Sequence, residues 1–314
     1  MTDAFRVSRS ASLQAPQPTA RLSDPNKPAL RQISPWEQAW GRFQRSTTAM
    51  LGLCLLLIFF GVALGTDYLA PYGSRDFDYA EFASDASVHH FLGTDQLGRD
   101  MLTALMYGSR TSVAIAAIVP VMVLLIGGTT GILAGYFGRR IDGLLMRCVD
   151  VAFSIPALLV TILLISVLGR GLWTVILAFS LTAWPQLARV VRVETMRLRQ
   201  MEYVVGARSL GATNFQIIRD HMLPNLVGPI AVTIAVLIPT VVIEEATLTY
   251  LNIGVELNGN PSWSQIIRNE SQGIFSHPLA VLFPAIAISL LALSFTFVAD
   301  GLRDALDPRI AERF

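Results

Sequence analysis

Apolar residues in this 314-residue chain gather into six long runs separated by polar stretches, instead of alternating or recurring at amphipathic spacing. The runs are 48–66 (TAMLGLCLLLIFFGVALGT), 111–136 (beginning TSVAIAAIVPVMVLLIGG), 149–168 (VDVAFSIPALLVTILLISVL), 172–188 (LWTVILAFSLTAWPQLA), 227–251 (VGPIAVTIAVLIPTVVIEEATLTYL) and 279–299 (LAVLFPAIAISLLALSFTFVA). A helix of about 20 apolar residues crosses the hydrocarbon core. Lipid offers no partners to open backbone groups, which forces a helical solution. The pattern therefore predicts an all-α membrane protein with six transmembrane helices. Pro120, Pro156, Pro185, Pro229, Pro239 and Pro284 fall inside the runs, so kinked or broken helices are expected. The first run follows a basic flank, GRFQR, as a signal peptide would. It starts too deep and lacks a small-x-small cleavage site before TDYLAPY, so it reads as a retained span.

Composition agrees: 53% of residues are hydrophobic and 15% charged, against about 25% charged in soluble domains. A net charge of +1 carries no suggestion of nucleic acid. The placement of charge says more. Of 24 Lys and Arg residues, 19 lie in 1–46, 137–147, 189–224 and 300–314, and five in the alternate segments 67–110, 170–171 and 252–278. Because basic residues accumulate on the cytoplasmic side, both termini and the 189–224 segment are predicted to be cytoplasmic. The chain then divides into a disordered tail (1–35), an amphipathic interfacial helix (36–47) with Trp36, Trp40 and Phe43 beside Arg42 and Arg45, the first span (48–66), an extracytoplasmic segment (67–110), a transmembrane domain (111–304) and a cytoplasmic tail (305–314). Cys54 and Cys148 lie in or beside apolar runs and read as packing residues.

One cytoplasmic stretch, EYVVGARSLGATNFQIIRDHMLPN (202–225), is polar yet helix-compatible. Glu202 opens a first helix and Arg208 closes it, as the helix dipole favours. Gly211 suits a left-handed cap, Thr213 or Asn214 an N-cap, and Pro224 is expected to end the second helix before the next span. The small residues Gly206, Ala207 and Ala212 leave room for another surface to approach. On these grounds the stretch is either a docking device or an ordinary inter-span loop.

Here the sequence resembles a family. Importer permeases of the ABC class carry a cytoplasmic Glu-Ala-Ala-x3-Gly-x9-Ile-x-Leu-Pro signature, and the peptide branch reads Glu-Tyr-Val-x-Ala-Ala-Arg-x-Leu-Gly and ends in His-x-Leu-Pro-Asn. Glu202–Gly211 and His221–Asn225 follow that version, with Gly206 in place of Ala. FLGTDQLGRDMLTALMYGSRTSVAIA (91–116), GILAGYFGRRIDGLLMRCVDVAFSIPALL (131–159), PSWSQII (261–267) and DGLRDALDPR (300–309) are also similar to the C-type permease subunit of dipeptide and oligopeptide importers. Departures fall at LTYLNIGV from Leu248, at Trp263-Ser264 where the family has Trp-Gly, and at Phe295-Thr296. The resemblance implies a type I importer permease fold in a bacterial inner membrane. The 202–225 segment is then a coupling helix in which Glu202, Tyr203, Gly206, Ala207, Arg208, Gly211, His221 and Pro224 meet an ATPase. The implied partners are a second, homologous permease, two cytoplasmic ATP-binding subunits, an extracytoplasmic peptide-binding protein and membrane lipid. No G-x-x-x-x-G-K-[ST] occurs, so the chain is expected to be non-catalytic and to bind no cofactor, with ATP and Mg on the ATPase partners. Cargo of the same class includes nickel or glutathione. A rival class is an ion-gradient-driven secondary transporter, which predicts inverted repeats and a midplane ion site. H-E-x-x-H and G-x-S-x-G hydrolase motifs are absent.

Other residues carry open alternatives. Glu244 and Glu245 stand in an apolar run, where a charge is costly unless paired or hydrated. They read as translocation-path residues, as buried carboxylates paired with a neighbouring helix, or as boundary residues near the outer edge, and adjacent helical positions, about 100° apart, cannot face one pocket equally. Gly93, Asp95, Gly98, Arg99 and Asp100 in GTDQLGRD read as an outer-face turn with local ion pairing. His89, His90 and His277 lack the further ligands of a metal site. Asp300, Arg303, Asp304 and Asp307, with Pro308 as terminator, read as an interfacial cap or ATPase contact, or equally as a solvated helix end.

Overall fold

A computed structural model describes residues 35–306 apart from 254 and 258. The expected disordered tail up to residue 34, and the tail residues Asp307 and Pro308, lie outside the described residues. Within them the chain is mostly helical, apart from the irregular stretch 70–100, short loops and one small hairpin of two-residue strands, β1 (Glu256–Leu257) and β2 (Asn260–Pro261), paired antiparallel.

The opening helix α1 (Pro35–Arg45) is amphipathic, as its spacing predicts, but it is also packed. Ala39 and Phe43 are buried and cluster with Ala49 and Ala305, which ties α1 to both ends of the chain. Trp40 stays half exposed and stacks on Phe43. Ser46 then caps α2 (Thr47–Leu69) by accepting from the Ala49 N–H.

The second run is longer than its apolar residues suggest. Helix α3 covers Met101–Phe137, 37 residues, and begins ten residues before the predicted edge at 111. Asp100 causes the earlier start: its side chain accepts from the Thr103 N–H at 2.8 Å, capping a helix that polar residues can already form. Pro120 is absorbed within α3, and the ladder widens to a π turn at Leu124–Gly128 a few residues on.

The third run does not form a straight span. It divides at Ile155-Pro156 into α4 (Arg139–Ser154) and α5 (Ala157–Leu168), bent by 85°. Pro156 cannot donate to the ladder and holds Ile155 extended, so the break is placed by sequence. Twelve residues of α5 rise about 18 Å, short of the hydrocarbon thickness. The described residues thus hold five helices long and apolar enough to cross a membrane, or six if the bent pair counts as one. Of the six intramembrane prolines, Pro156 alone stands at such a break.

Helix α6 (Leu172–Arg199) overruns its apolar run by eleven residues. The overrun brings Arg192 against Asp142 of α4 through two parallel N–H···O bonds, and Arg189 to Asp150 at 2.7 Å. The short helix α7 (Glu202–Ser209) follows, and then α8 (Asn214–Tyr250), α9 (Trp263–Glu270) and α10 (Pro278–Leu306).

Two packed clusters organise the bundle. One joins α3, α6, α7 and α8 around Phe179, Leu187, Val191, Ile217, Met222 and Leu248. The other joins α2, α3, α8, α9 and α10 around Met101, Val113, Trp263, Ile266 and Leu291. Helix association in lipid depends on close packing more than on water exclusion. Here α3 approaches α6 along Gly127, Gly131 and Gly135, one residue per turn, facing the Trp184, Ala188 and Arg192 carbonyls.

Candidate functional site

Two polar assemblies lie at opposite ends of the bundle. The first is the 202–225 segment. Val204 is fully buried and roots α7 in the larger cluster. Helix α7 ends in a paired closure: the Gly211 N–H donates to the Arg208 carbonyl and the Ala212 N–H to the Ala207 carbonyl, each at 3.1 Å. That geometry needs a left-handed residue, and Gly211 has φ +88°. Thr213 and Gln216 then form a reciprocal cap. The Gln216 N–H donates to Thr213 Oγ1, and the Thr213 N–H to Gln216 Oε1. Tyr136, at the end of α3, donates its hydroxyl to Asn214 Oδ1 at 2.7 Å, and Arg208 lies over the Tyr136 ring.

The second short helix does not stop at Pro224. It runs on into the span as one helix, α8, through a π turn at Ile217–Met222. Pro224 falls in the first turn after the π turn, where its missing N–H costs little, and Asn225 Nδ2 donates to the His221 carbonyl at 2.7 Å. Tyr203, Gly206, Ala207, Leu210, Gly211, Ala212, Gln216, Asp220 and His221 together line an open cleft of about 730 Å³. Glu202 and Arg208 are exposed at either end of α7, and Pro224 lies exposed outside the cleft. Leu210, one of its lining residues, is 91% exposed, and Phe215, next to Gln216 in the chain, is 70% exposed. Sequence reasoning did not single out either one. An apolar residue beside a predicted turn glycine was the available signal.

The second assembly caps the other end. Gly93 and Gly98, both at φ +79°, shape a turn closed by a bridge between Thr94 and Asp100. Within this turn backbone and ring contacts accompany the attraction between Asp95 and Arg99. Asp95 Oδ1 accepts from the Leu97 and Arg99 N–H groups at 2.8 Å, and Arg99 stacks over Phe77. Asp100 instead faces the buried His90, whose Nδ1 is 3.0 Å from Asp100 Oδ1 and whose Nε2 is 3.7 Å from Asp78. A short carboxylate prefers backbone N–H groups two to four residues away, which a turn supplies without ordering a long side chain. His277 sits 3.7 Å from Asp85. Among the described residues no group of three or more His, Cys, Asp or Glu could hold a metal ion.

Helix α9 closes this end. Trp263 Nε1 donates to the Leu105 carbonyl at 2.8 Å, and Glu270 Oε1 accepts from the Gln96 N–H. Burial pushes the Glu270 carboxyl up, with the neighbouring Asp95 charge adding. Burial also raises Asp95, offset in part by the Arg99 and Leu97 N–H groups. A carboxyl raised on folding binds its proton more tightly when folded, so its contribution to stability is full below the ordinary carboxylate range. That contribution is lost as pH rises through the raised value. The Glu270→Gln chain is therefore expected to gain stability relative to the native chain as pH rises from about 4 toward neutrality. Parallel thermal melts across that range check this, and a constant offset would contradict it.

The two intramembrane carboxyls separate as helix geometry requires. Glu244 is half-buried, whereas Glu245 is 4% exposed. Glu245 accepts from Thr249 Oγ1 at 3.2 Å, from Ser262 Oγ at 2.8 Å and from Ser264 Oγ. Among the alternatives left open for Glu245, this geometry is that of a buried, partnered carboxyl. Its partners Ser262 and Ser264 were not foreseen, although Ser264 is itself one of the departures from the resembled motif.

These features define a multi-pass helical membrane protein with a polar docking-shaped segment at one end and a capped turn at the other. Residues 127–312 match the binding-protein-dependent transport system inner membrane component family, and residues 34–86 match the N-terminal transmembrane domain of oligopeptide transport permease C. The chain belongs to this family of transport permease subunits, in its C-type dipeptide and oligopeptide branch. It is 37% identical over 279 residues to the dipeptide transport system permease protein DppC of Bacillus subtilis strain 168, covering 88% of this chain and 87% of that protein. The oligopeptide permease OppC of the same organism is 34% identical over 291 residues, covering 93% and 95%. The glutathione permease GsiD of Pectobacterium atrosepticum is 36% identical over 288 residues, covering 90% and 95%. Among solved structures, an inward-facing MetNI methionine ABC transporter chain shares the fold, with a TM-score of 0.55, 19% identity and coverage of 66% of this chain and 98% of that one.

Proposed function

We propose that this chain forms half of the transmembrane pathway of an ATP-driven peptide importer and receives its driving force through the 202–225 segment. The observation that carries the reading is the segment's build. It is a rooted helix, a left-handed turn and a capped second helix, presenting an open cleft lined in part by apolar Leu210, with Phe215 exposed on the second helix. ATP binding on two separate ATPase subunits biases the exchange between inward-open and outward-open packings. ATP and Mg belong to those subunits. A homologous permease supplies the other half, and an extracytoplasmic binding protein delivers cargo to the face carrying 67–110. Both termini lie in the cytoplasm, on the side rich in Arg. Glu244, half-buried on α8 and off the Glu245 network, is the path residue.

The relatives' names favour dipeptides and oligopeptides as cargo. A second reading, glutathione, has its own support in the GsiD relatives, and glutathione is itself a tripeptide. The test begins with gentle-detergent purification from native membranes, identifying the partners retained. Uptake of labelled di- and oligopeptides and of glutathione into membrane vesicles follows, with and without ATP. Retention of an ATPase together with ATP-dependent peptide uptake is expected. Uptake that persists without ATP and collapses with the ion gradient would instead establish a secondary transporter.

A further inference from the structure

Glu245 is buried and held within its own chain. Both of its oxygens are engaged by hydroxyls of the same chain, and Ser262 and Ser264 flank Trp263 at the start of α9. Ser262 also caps α9 by accepting from the Gln265 N–H at 3.3 Å. One carboxyl group therefore pins the outer end of α8 to the first turn of the helix that closes this end of the bundle. The other end of α8 starts at the Thr213 cap, inside the docking segment. Between them runs a single helix of 37 residues, about 55 Å long. A carboxyl buried among apolar helices is costly unless fully hydrogen-bonded. For packing alone, an apolar residue of similar shape serves as well or better. What the carboxyl adds is a directional link between two helices.

We propose that Glu245 is a positioning residue for transport. Its clamp on Ser262 and Ser264 makes α9 move with α8, so a displacement imposed on the 202–225 segment reaches the opposite face. Helix α9 in turn holds the Leu105 carbonyl and the Gln96 N–H, so the motion is delivered to the start of α3 and to the Gly93–Asp100 turn. This inference rests on the reading that an ATPase docks on 202–225.

The test uses the purified complex in lipid nanodiscs, with Cys54 and Cys148 replaced by Ser and spin labels on exposed positions. One label pair is Tyr250→Cys with Asn269→Cys, reporting α8 against α9. The other is Tyr68→Cys with Asn269→Cys, reporting α9 against the outer end of α2. With native Glu245, the 250–269 distance is expected to be narrow and indifferent to ATP with vanadate, while the 68–269 distance shifts. Glu245→Leu is expected to broaden the first, abolish the shift in the second, and lower uptake by about tenfold. Glu245→Gln, which keeps the shape and one acceptor, restores the narrow distance. Ser264→Gly removes a single hydrogen bond without adding a side chain, and gives an intermediate broadening even where the leucine variant folds poorly. The inference is overturned if Glu245→Leu leaves both distances as in the native chain, or if the native 68–269 distance ignores nucleotide while the ATPase is bound. Absence of any ATPase from the native complex would instead defeat the docking reading, and the 250–269 pair would still report the clamp.

Discussion

Leu210→Asp is expected to abolish ATP-driven uptake while leaving the chain folded in the membrane. Leu210 ends α7 at 91% exposure, just before the left-handed Gly211, and contributes almost nothing to the packing of its own chain. Changes at such positions usually move stability by no more than about 0.5 kcal/mol. Against a partner the same side chain is buried, where a leucine is worth about 1.5–3 kcal/mol. An unpaired aspartate in its place adds a desolvation penalty, so affinity is expected to fall by about a hundredfold or more. Gly211→Pro reaches the same end differently. Proline holds φ near −65°, cannot take the observed +88°, and lacks the N–H that closes α7 on Arg208. Melting curves of the purified chain and co-purification of the ATPase read the two effects separately. Retention of the ATPase by both variants would remove the docking reading.

Gly131→Leu is expected to destabilise the bundle strongly. A Cβ at Gly131 would lie 2.7 Å from the Ala188 carbonyl oxygen and 2.7 Å from Val191 Cβ. A Cβ at Gly127 or Gly135 would likewise lie 2.6 Å from the Trp184 or Arg192 carbonyl oxygen. The obstacle is backbone, which cannot rotate out of the way, so α3 and α6 must separate along their whole contact. Overpacking by a methylene or two costs about 1–3 kcal/mol where side chains can yield. Here the loss is expected to exceed about 3 kcal/mol, because helix association in lipid has little besides this close contact to sustain it. Gly143 provides the control, since nothing lies within 4 Å of a Cβ built there. Gly143→Leu is expected to be neutral or slightly stabilising through helix propensity, by about 1 kcal/mol at most. Thermal transitions of both variants in detergent decide the matter, and equal losses would contradict it.

Much of this protein was legible in one dimension. Bilayer thickness sets run length, so the helical class and most of the spans could be counted before any contact was known. Turn and cap chemistry is local, so Gly211 and the Thr213 cap were placed from their neighbours within the 202–225 segment. The failures share a cause. The ends of α3, α6 and α8 extend past their apolar runs because caps and partners, such as Asp100 on Thr103 and Arg192 on Asp142, extend helices that hydropathy alone would stop. Proline marks a break only where nothing repairs the ladder. Pro156 broke its run, whereas Pro224 was accommodated by a π turn and the Asn225 side chain. The Gly127, Gly131 and Gly135 stripe was not singled out in the sequence, because its partner helix is set only by the fold.

The sequence by itself determined which segments are long and apolar enough to cross a membrane, the local shape of the 202–225 segment and the family, because each depends on composition or on residues close along the chain. Tertiary structure alone decided the fate of the two adjacent carboxyls. Their neighbours in sequence are equally apolar, and only the fold brings Ser262 and Ser264, 17 and 19 residues away, onto Glu245 while leaving Glu244 outside that network. A helix assigns two adjacent residues to different directions, but what lies in each direction is settled by the packing of the other helices.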